Sequence, residues 1–211
     1  MEEGHISVQR SLRYFTTGEY LQGSDVLIAL HGYSQHPKYF LQKMKELASN
    51  GRRFIAPEGL HRFYIQGHSG RVGASWMTKE DRLIDIEDNH RYLEQLMKEV
   101  VPQDAGRRIL MGFSQGCATA VRYFCSTEQH FDRLILWAGS FPPDLPLPEN
   151  LERLNAIGID LVVGDEDEFI HSDHILELKG LFDQAGLKYR FHSFHGKHEL
   201  NIPLLKDLLS K

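Results

Sequence analysis

The sequence predicts an α/β fold: a mostly parallel sheet with helices on both faces. Two observations predict it. Short apolar runs bounded by Gly, Pro or charge recur along the chain: "DVLIAL" (25–30), "RRFIAP" (52–57), "RRILMGF" (107–113), "DRLILWAG" (132–139), "IDLVVG" (159–164) and "KYRFHSF" (188–194). Such runs mark strands buried on both faces. Helical patterns separate them, and strands that alternate with helices pair in parallel through crossovers.

The elements follow in order. The N-terminal "ISVQRSLRYFTTGEY" adds one or two antiparallel edge strands. "PKYFLQKMKELASNG" opens with a proline suited to a first helical turn and stops at Gly51. From Thr78, with Asp81 three residues on as in a capping box, a helix places Leu83, Ile86, Leu93, Met97 and Val100 on one stripe. "CATAVRYF", after the fourth of these strands counted with the edge strand, has helix spacing. No repeat or polar linker divides the 211 residues, so one domain over 1–211 is expected, burying roughly 70% of its unfolded surface.

A composition of 41% hydrophobic and 25% charged residues is that of a globular protein. The net charge of -5 argues against a nucleic-acid partner, which needs clustered Lys and Arg. The acidic start lacks the apolar core of a signal peptide, and no run approaches the roughly 18 apolar residues of a span. Neither membrane insertion nor export is expected, so the expected location is cytoplasmic. Cys117 and Cys125, eight apart on one helix, lie about 12 Å apart, beyond disulfide reach.

Sites in parallel sheets form beyond the carboxyl ends of the strands. That rule selects Ser114, His31, the cluster Asp165 to Glu168, and His195 to His198. Asp25, Asp132 and Asp160 are read as preceding strands, at the other edge. "GFSQG" (112–116) matches the strand–turn–helix elbow G-x-S-x-G, in which a strained backbone projects the serine above the sheet. Glycines two residues either side remove side chains that would collide there, and the helix that follows aims free N–H groups at developing negative charge.

A serine nucleophile needs a base, and the base an orienting carboxylate, in the chain order Ser, Asp or Glu, His. The acids after Ser114 at strand ends are Asp165, Glu166, Asp167, Glu168 and Asp144, and spacing does not choose among them. For the base, "HGKHEL" offers His195 and His198; Gly196 lets the loop curl toward the serine at His198, whereas His195 abuts the strand. His31 is read as a hydrogen-bonding support for its loop. His171 with His174, and His192 with His195 and His198, have i, i+3 spacing, which gathers side chains on a helix and not on a strand followed by a turn. Neither a metal nor a cofactor is expected.

The set "ALHGYSQ", "GFSQG", "VVGDEDEFI" and "HGKHEL", in this order over most of the chain, resembles the serine esterases of the α/β-hydrolase fold, and among them the phospholipase/carboxylesterase family, which includes acyl-protein thioesterases. The family's acid pattern G-x-x-D-x-x-V is met by Gly164, Asp167 and Ile170, and its G-x-H turn by Gly196 and His198. The resemblance implies a triad of Ser114, Asp167 and His198, with oxyanion N–H groups from Tyr33 and Gln115. The chain departs from the family in having Val163 before the glycine and Glu168 after the aspartate, where His and Pro are common, and Tyr33, Ser34 and Gln35 where a further glycine is frequent.

The expected activity is cleavage of small carboxylic esters through an acyl-enzyme. Phe63, Tyr64, Trp76, Met77, Phe141 and Leu145, on loops or after strand ends, are the candidates for an acyl pocket. "SFPPDLPLPEN" is too short for a large lid, so an open site for short or medium acyl chains is expected. A thioesterase, lysophospholipase, peptidase or acyltransferase would use the same triad, and a non-catalytic small-molecule binder is the alternative of another class. The sequence leaves a homodimer open.

Overall fold

The computed structural model describes residues 1–48 and 51–211. Its main sheet has seven strands: β1 (Tyr14–Thr17), β2 (Asp25–Leu30), β3 (Arg52–Pro57), β6 (Arg108–Phe113), β7 (Arg133–Trp137), β8 (Gly158–Gly164) and β9 (Arg190–Phe194). Their order is β1-β3-β2-β6-β7-β8-β9, with β1 antiparallel at one edge and every other pair parallel. All six sequence-predicted strands are present, and the N-terminal segment supplies one edge strand.

Alternation along each strand divides the core into two layers. Val26, Ile28 and Leu30 of β2, with Leu110, Leu134, Leu136 and Leu161, form one buried cluster with residues of α2 (Arg82–Val100), α3 (Gln115–Ser126), α4 (Leu147–Asn155) and α5 (Ser172–Ala185). Leu27, Ala29, Ile109, Met111, Ile135, Trp137 and Val162 point to the other face, where they meet α1 (Pro37–Gln42) and α6 (Ile202–Ser210). Helices therefore cover both faces, and no helix among the described residues is long and apolar enough to cross a membrane.

Three details differ from expectation. The long helix predicted after Pro37 is short; a separate 3-10 turn spans Lys45–Ala48, and residues 49 and 50 of that segment lie outside the described residues. Helix α2 begins after Asp81, whose side chain makes no cap hydrogen bond; Leu83 is 71% exposed and leaves the buried stripe. Asp160 does not precede its strand. It is the third residue of β8, fully buried, and bonds Arg133, Arg190 and His192.

An element absent from the sequence reading is the hairpin β4 (His61–Tyr64) and β5 (Val72–Ser75), a separate two-stranded sheet. The C-terminal helix α6 is also anchored from afar. The guanidiniums of Arg52 and Arg107 each donate to the Leu209 carbonyl at 2.9 Å, and Arg133 donates to that of Leu208, so Arg52 of β3, Arg107 just before β6 and Arg133 of β7 hold the C-terminal end of α6. Cations there complement the negative end of the helix dipole.

Candidate active site

Ser114 sits between β6 and α3 with φ 54° and ψ -119°, a conformation that costs a non-glycine residue of order 1–3 kcal/mol. The flanking glycines make it tolerable. A Cβ on Gly112 would lie 2.5 Å from the Cys117 backbone, and one on Gly116 would lie 2.3 Å from the Leu30 carbonyl oxygen. Strand, turn and helix are pressed together so closely that only glycine fits on either side. The Ser114 N–H donates to the Trp137 carbonyl at 2.9 Å, fixing the turn to β7.

At the same sheet edge, Asp167 follows β8 and His198 follows β9. The Asp167 side chain is wholly buried, and its Oδ2 accepts from His198 Nδ1 at 2.8 Å; Oδ1 accepts the N–H groups of Phe169 and Ile170 at 2.8 and 3.0 Å. With its proton on Nδ1, the His198 ring offers Nε2 as a lone pair. The ring packs between Phe113, the neighbour of Ser114, at 5.1 Å and Phe169 at 4.8 Å between centroids.

The other acids are engaged elsewhere. Asp144 pairs with Arg122 at 2.5 Å and lies 3.7 Å from Arg82, and the Arg122 bond holds its carboxyl below the usual range. Asp165 is exposed, accepts the Gly196 N–H at 3.0 Å and lies 3.3 Å from His195. That backbone bond lowers its carboxyl, and it joins the acid loop to the base loop, as do Asp165 N–H to the Phe194 carbonyl and Glu166 N–H to that of Gly196. Glu166 and Glu168 are exposed. Of the acids left open by spacing, the structure brings Asp167 to His198.

Around the loop after β2 and the elbow, three N–H groups are occupied. Gly32 donates to the Gln35 side chain at 2.9 Å, Ser34 to the Ala74 carbonyl at 2.9 Å, and Cys117 to the Ser114 carbonyl at 3.0 Å. The N–H groups of Tyr33 and Gln115 have no such partner among the described residues. The Gln115 side chain is committed to the hairpin, accepting from Trp76 N–H at 3.1 Å and donating to the Met77 carbonyl at 3.1 Å. Gln35, and Gly73, where a Cβ would lie 2.1 Å from the Ser34 carbonyl oxygen, are contributors that sequence reasoning missed. Gln35 ends "ALHGYSQ", but nothing in the sequence marks its side chain as the acceptor that shapes the turn.

His31 is fully buried and structural in its contacts: Nε2 accepts the Gly59 N–H at 3.0 Å, and Nδ1 donates to the Gly32 carbonyl at 2.7 Å. Burial lowers its pKa to about 4. Trp76 corrects an expectation. It is 0% exposed, and its indole N–H donates to the His31 carbonyl at 2.7 Å, so it supports the loop from within the core and cannot line an open pocket. Met77 is half-buried against Arg122 and lines a water-sized space between α2 and α3.

A larger cavity, about 400 Å³, opens beyond β7 and β8 against α5. Phe141, one of the sequence candidates, forms part of its wall with Leu161, Val163, Phe169 and Leu178. Two of its wall residues reach the serine and histidine: a Cβ on Gly139 would lie 2.5 Å from the Ser114 carbonyl oxygen, and the Phe169 ring lies 4.8 Å from that of His198. Phe63 stacks on Tyr33, whereas Tyr64, the next residue along β4, is 49% exposed. Leu145 packs against the core.

The histidines weighed as ligands disperse. His192 bonds Asp160, His195 bonds Asp165, His198 bonds Asp167, and the rings of His171 and His174 lie 6.0 Å apart. Cys117 is buried, and Cys125, partly buried, has its thiol pushed up to about 12 by desolvation.

A strained elbow serine on the fourth strand of a mostly parallel seven-stranded sheet, with an acid on the loop after β8 and a histidine on the loop after β9, defines an α/β-hydrolase. Residues 19–210 match the phospholipase/carboxylesterase family, and the chain belongs to it. Solved structures of similar fold include acyl-protein thioesterase 2 of Zea mays, with a TM-score of 0.73, 17% identity, and coverage of 94% of this chain and 97% of that one. Esterase PE8 superposes with a TM-score of 0.69 at 21% identity, covering 95% and 99%. The carboxylesterase of Bacillus cereus does so with 0.66 at 16% identity, covering 94% and 92%. A comparison with curated protein sequences gives no match. At these identities the structural likeness is one of fold.

Proposed function

We propose that the protein is a serine esterase that cleaves carboxylic esters of short or medium acyl chain through Ser114, His198 and Asp167. The observation that carries this reading is the buried Asp167 carboxylate 2.8 Å from His198 Nδ1, at the sheet edge where Ser114 holds its strained turn. His198 Nε2 takes the Ser114 proton as Oγ attacks the ester carbonyl; Asp167 fixes the tautomer and stabilises the imidazolium. The N–H groups of Tyr33 and Gln115 receive the oxyanion, each worth about 2.7 to 4 kcal/mol where such donors have been removed. The leaving alcohol takes the proton from His198, and water then releases the acyl group by the same route.

The cavity beside Ser114 supports the acyl-length assignment: about 400 Å³ lies at the lower end of small-ligand sites, roughly 300 to 1,000 Å³. The test is kcat/KM for a p-nitrophenyl ester series on the wild type and Ser114→Ala. The expected result is an optimum at or below about twelve carbons and a loss of at least about a thousandfold in the variant. Thioester substrates of equal chain length in the same assay separate esterase from thioesterase use of the site. Equal inactivity of two folded proteins would overturn the reading in favour of a binder.

A further inference from the structure

The two sides of Ser114 differ in chemistry. Strand β6, which leads into it, lies between β2 and β7 in the sheet. The apolar cavity lies on the β7 and β8 side. On the β2 side stands Tyr33, 59% exposed, its ring stacked on Phe63 with centroids 5.3 Å apart and planes at 30°.

This pair is held rigidly. Phe63 lies opposite Gly73 in the β4–β5 register, and Ala74 is bonded to the loop of Tyr33 through both Ser34 N–H to its carbonyl and its own N–H to the Gln35 carbonyl. Ring and backbone of Tyr33 thus belong to one fixed unit, and its N–H is the one placed above at the oxyanion. An ester whose carbonyl oxygen meets that N–H, with its acyl chain in the cavity, directs its alcohol portion away from β7 and toward the ring. Phe63 covers one face of Tyr33, and the exposure of Tyr33 leaves surface for another ring. Aromatic pairs prefer such offset stacking.

We propose that Tyr33 and Phe63 form a leaving-group subsite for planar aromatic alcohols, making aryl esters the favoured substrate class. This rests on the hydrolase reading with Ser114 as nucleophile. The carbonyl carbon gains a bond to Ser114 Oγ and loses its bond to the aryl oxygen. That oxygen takes from His198 the proton first removed from Ser114, and the phenol departs across the Tyr33 ring.

The experiment compares 2-naphthyl, phenyl and hexafluoroisopropyl butyrates, the last an alkyl ester whose alcohol approaches phenol in acidity, with each rate divided by that ester's alkaline hydrolysis rate. Wild type, Tyr33→Leu and Phe63→Leu are assayed, together with 2-naphthol binding followed by its fluorescence to wild type, Ser114→Ala and Tyr33→Leu. The expected wild-type preference for naphthyl over hexafluoroisopropyl is about tenfold, the upper range of a stacked pair, falling toward unity in both leucine variants. 2-Naphthol is expected to bind Ser114→Ala as it binds wild type, and Tyr33→Leu at least threefold more weakly. Hydrolysis of all three esters with a ratio near one in every protein overturns the subsite and leaves the hydrolase reading standing. A wild type inert toward all three overturns both the hydrolase reading and the leaving-group role, even where naphthol binds.

Discussion

Asp167 and His198 are joined by a 2.8 Å hydrogen bond in which one carboxylate oxygen takes the histidine while the other takes two backbone N–H groups of its own loop. The carboxylate is thereby oriented before any substrate arrives. Asp167→Asn keeps the shape but offers an amide N–H toward the ring, favouring the wrong tautomer. The expected outcome is a fall in kcat of about 10³ to 10⁴-fold with KM little changed, measured on p-nitrophenyl butyrate. Asp165→Asn, which keeps an acceptor for Gly196 N–H, is expected to fall less than tenfold; equal losses in the two variants would remove Asp167 from its assigned role.

Gly73 gives a second test. A Cβ there would lie 2.1 Å from the Ser34 carbonyl oxygen, and Ser34 itself has φ 60°. Gly73→Ala therefore pushes directly on the loop that carries the Tyr33 N–H. Loss of one oxyanion donor corresponds to about 10² to 10³ in kcat, so a fall of at least tenfold is expected in a protein with unchanged circular dichroism. Affinity for a trifluoromethyl ketone, which forms the oxyanion on binding, should fall with it. Full activity would mean that the hairpin does not position this loop.

Acid sensitivity follows from His31. Its folded pKa of about 4 lies below the ordinary 6.5, because burial disfavours the charged ring. The unfolded chain then binds the proton more readily, so stability is full above about pH 6.5 and declines as pH falls toward 4, by about 3 kcal/mol in all. His36, also lowered by burial, titrates in the same sense. Urea midpoints at pH 7.5 and 5.0 check this: the drop should persist in His36→Gln, and a flat response from pH 7.5 to 5.0 would contradict the buried neutral state of His31.

Asp160 gives the strongest stability prediction. It is fully buried, and Arg190, Arg133 and His192 hydrogen bonds outweigh desolvation and hold its carboxyl far below the usual range. Asp160→Asn leaves the guanidinium of Arg133, itself 8% exposed, without its counter-ion. Breaking a buried pair on one side costs about 3 to 5 kcal/mol, and the loss should appear in denaturant midpoints at pH 7 with the ester-chain optimum unmoved.

The parallel core was legible because its strands are continuous apolar runs, from Val26 to Leu30 and from Ile109 to Met111, which carry their signal locally. The elbow was legible for the same reason: "GFSQG" is five contiguous residues whose glycines answer to contacts with adjacent elements. What escaped was set by distance in the chain. The hairpin β4–β5 has the weak pattern of a half-exposed pair, "HRFY" against "VGAS", and its role depends on Gln35 and Ala74 meeting across some forty residues. Trp76 looked like a pocket aromatic because sequence does not show that the His31 carbonyl lies 2.7 Å from its indole nitrogen. Spacing alone does not separate Asp167 from Asp165, and only the family pattern favours Asp167, because the difference lies in which carboxylate the following turn folds inward.

The arginine grip on α6 bears on how catalysis is timed. His198 lies on a short span between β9, which is paired along its length with β8, and a helix whose end is held by Arg52, Arg107 and Arg133. The span leaves a fully paired strand and is tied to the acid loop by Gly196 N–H to Asp165 and Glu166 N–H to the Gly196 carbonyl, while the helix after it is held at its far end, so the proposed base has little freedom relative to Asp167. Such a site is preorganised: little reorganisation energy remains for the chemical step, and no loop closure has to precede it. Under the proposed mechanism, turnover is then governed by formation and hydrolysis of the acyl-enzyme, and kcat is expected to change scarcely at all with solvent viscosity.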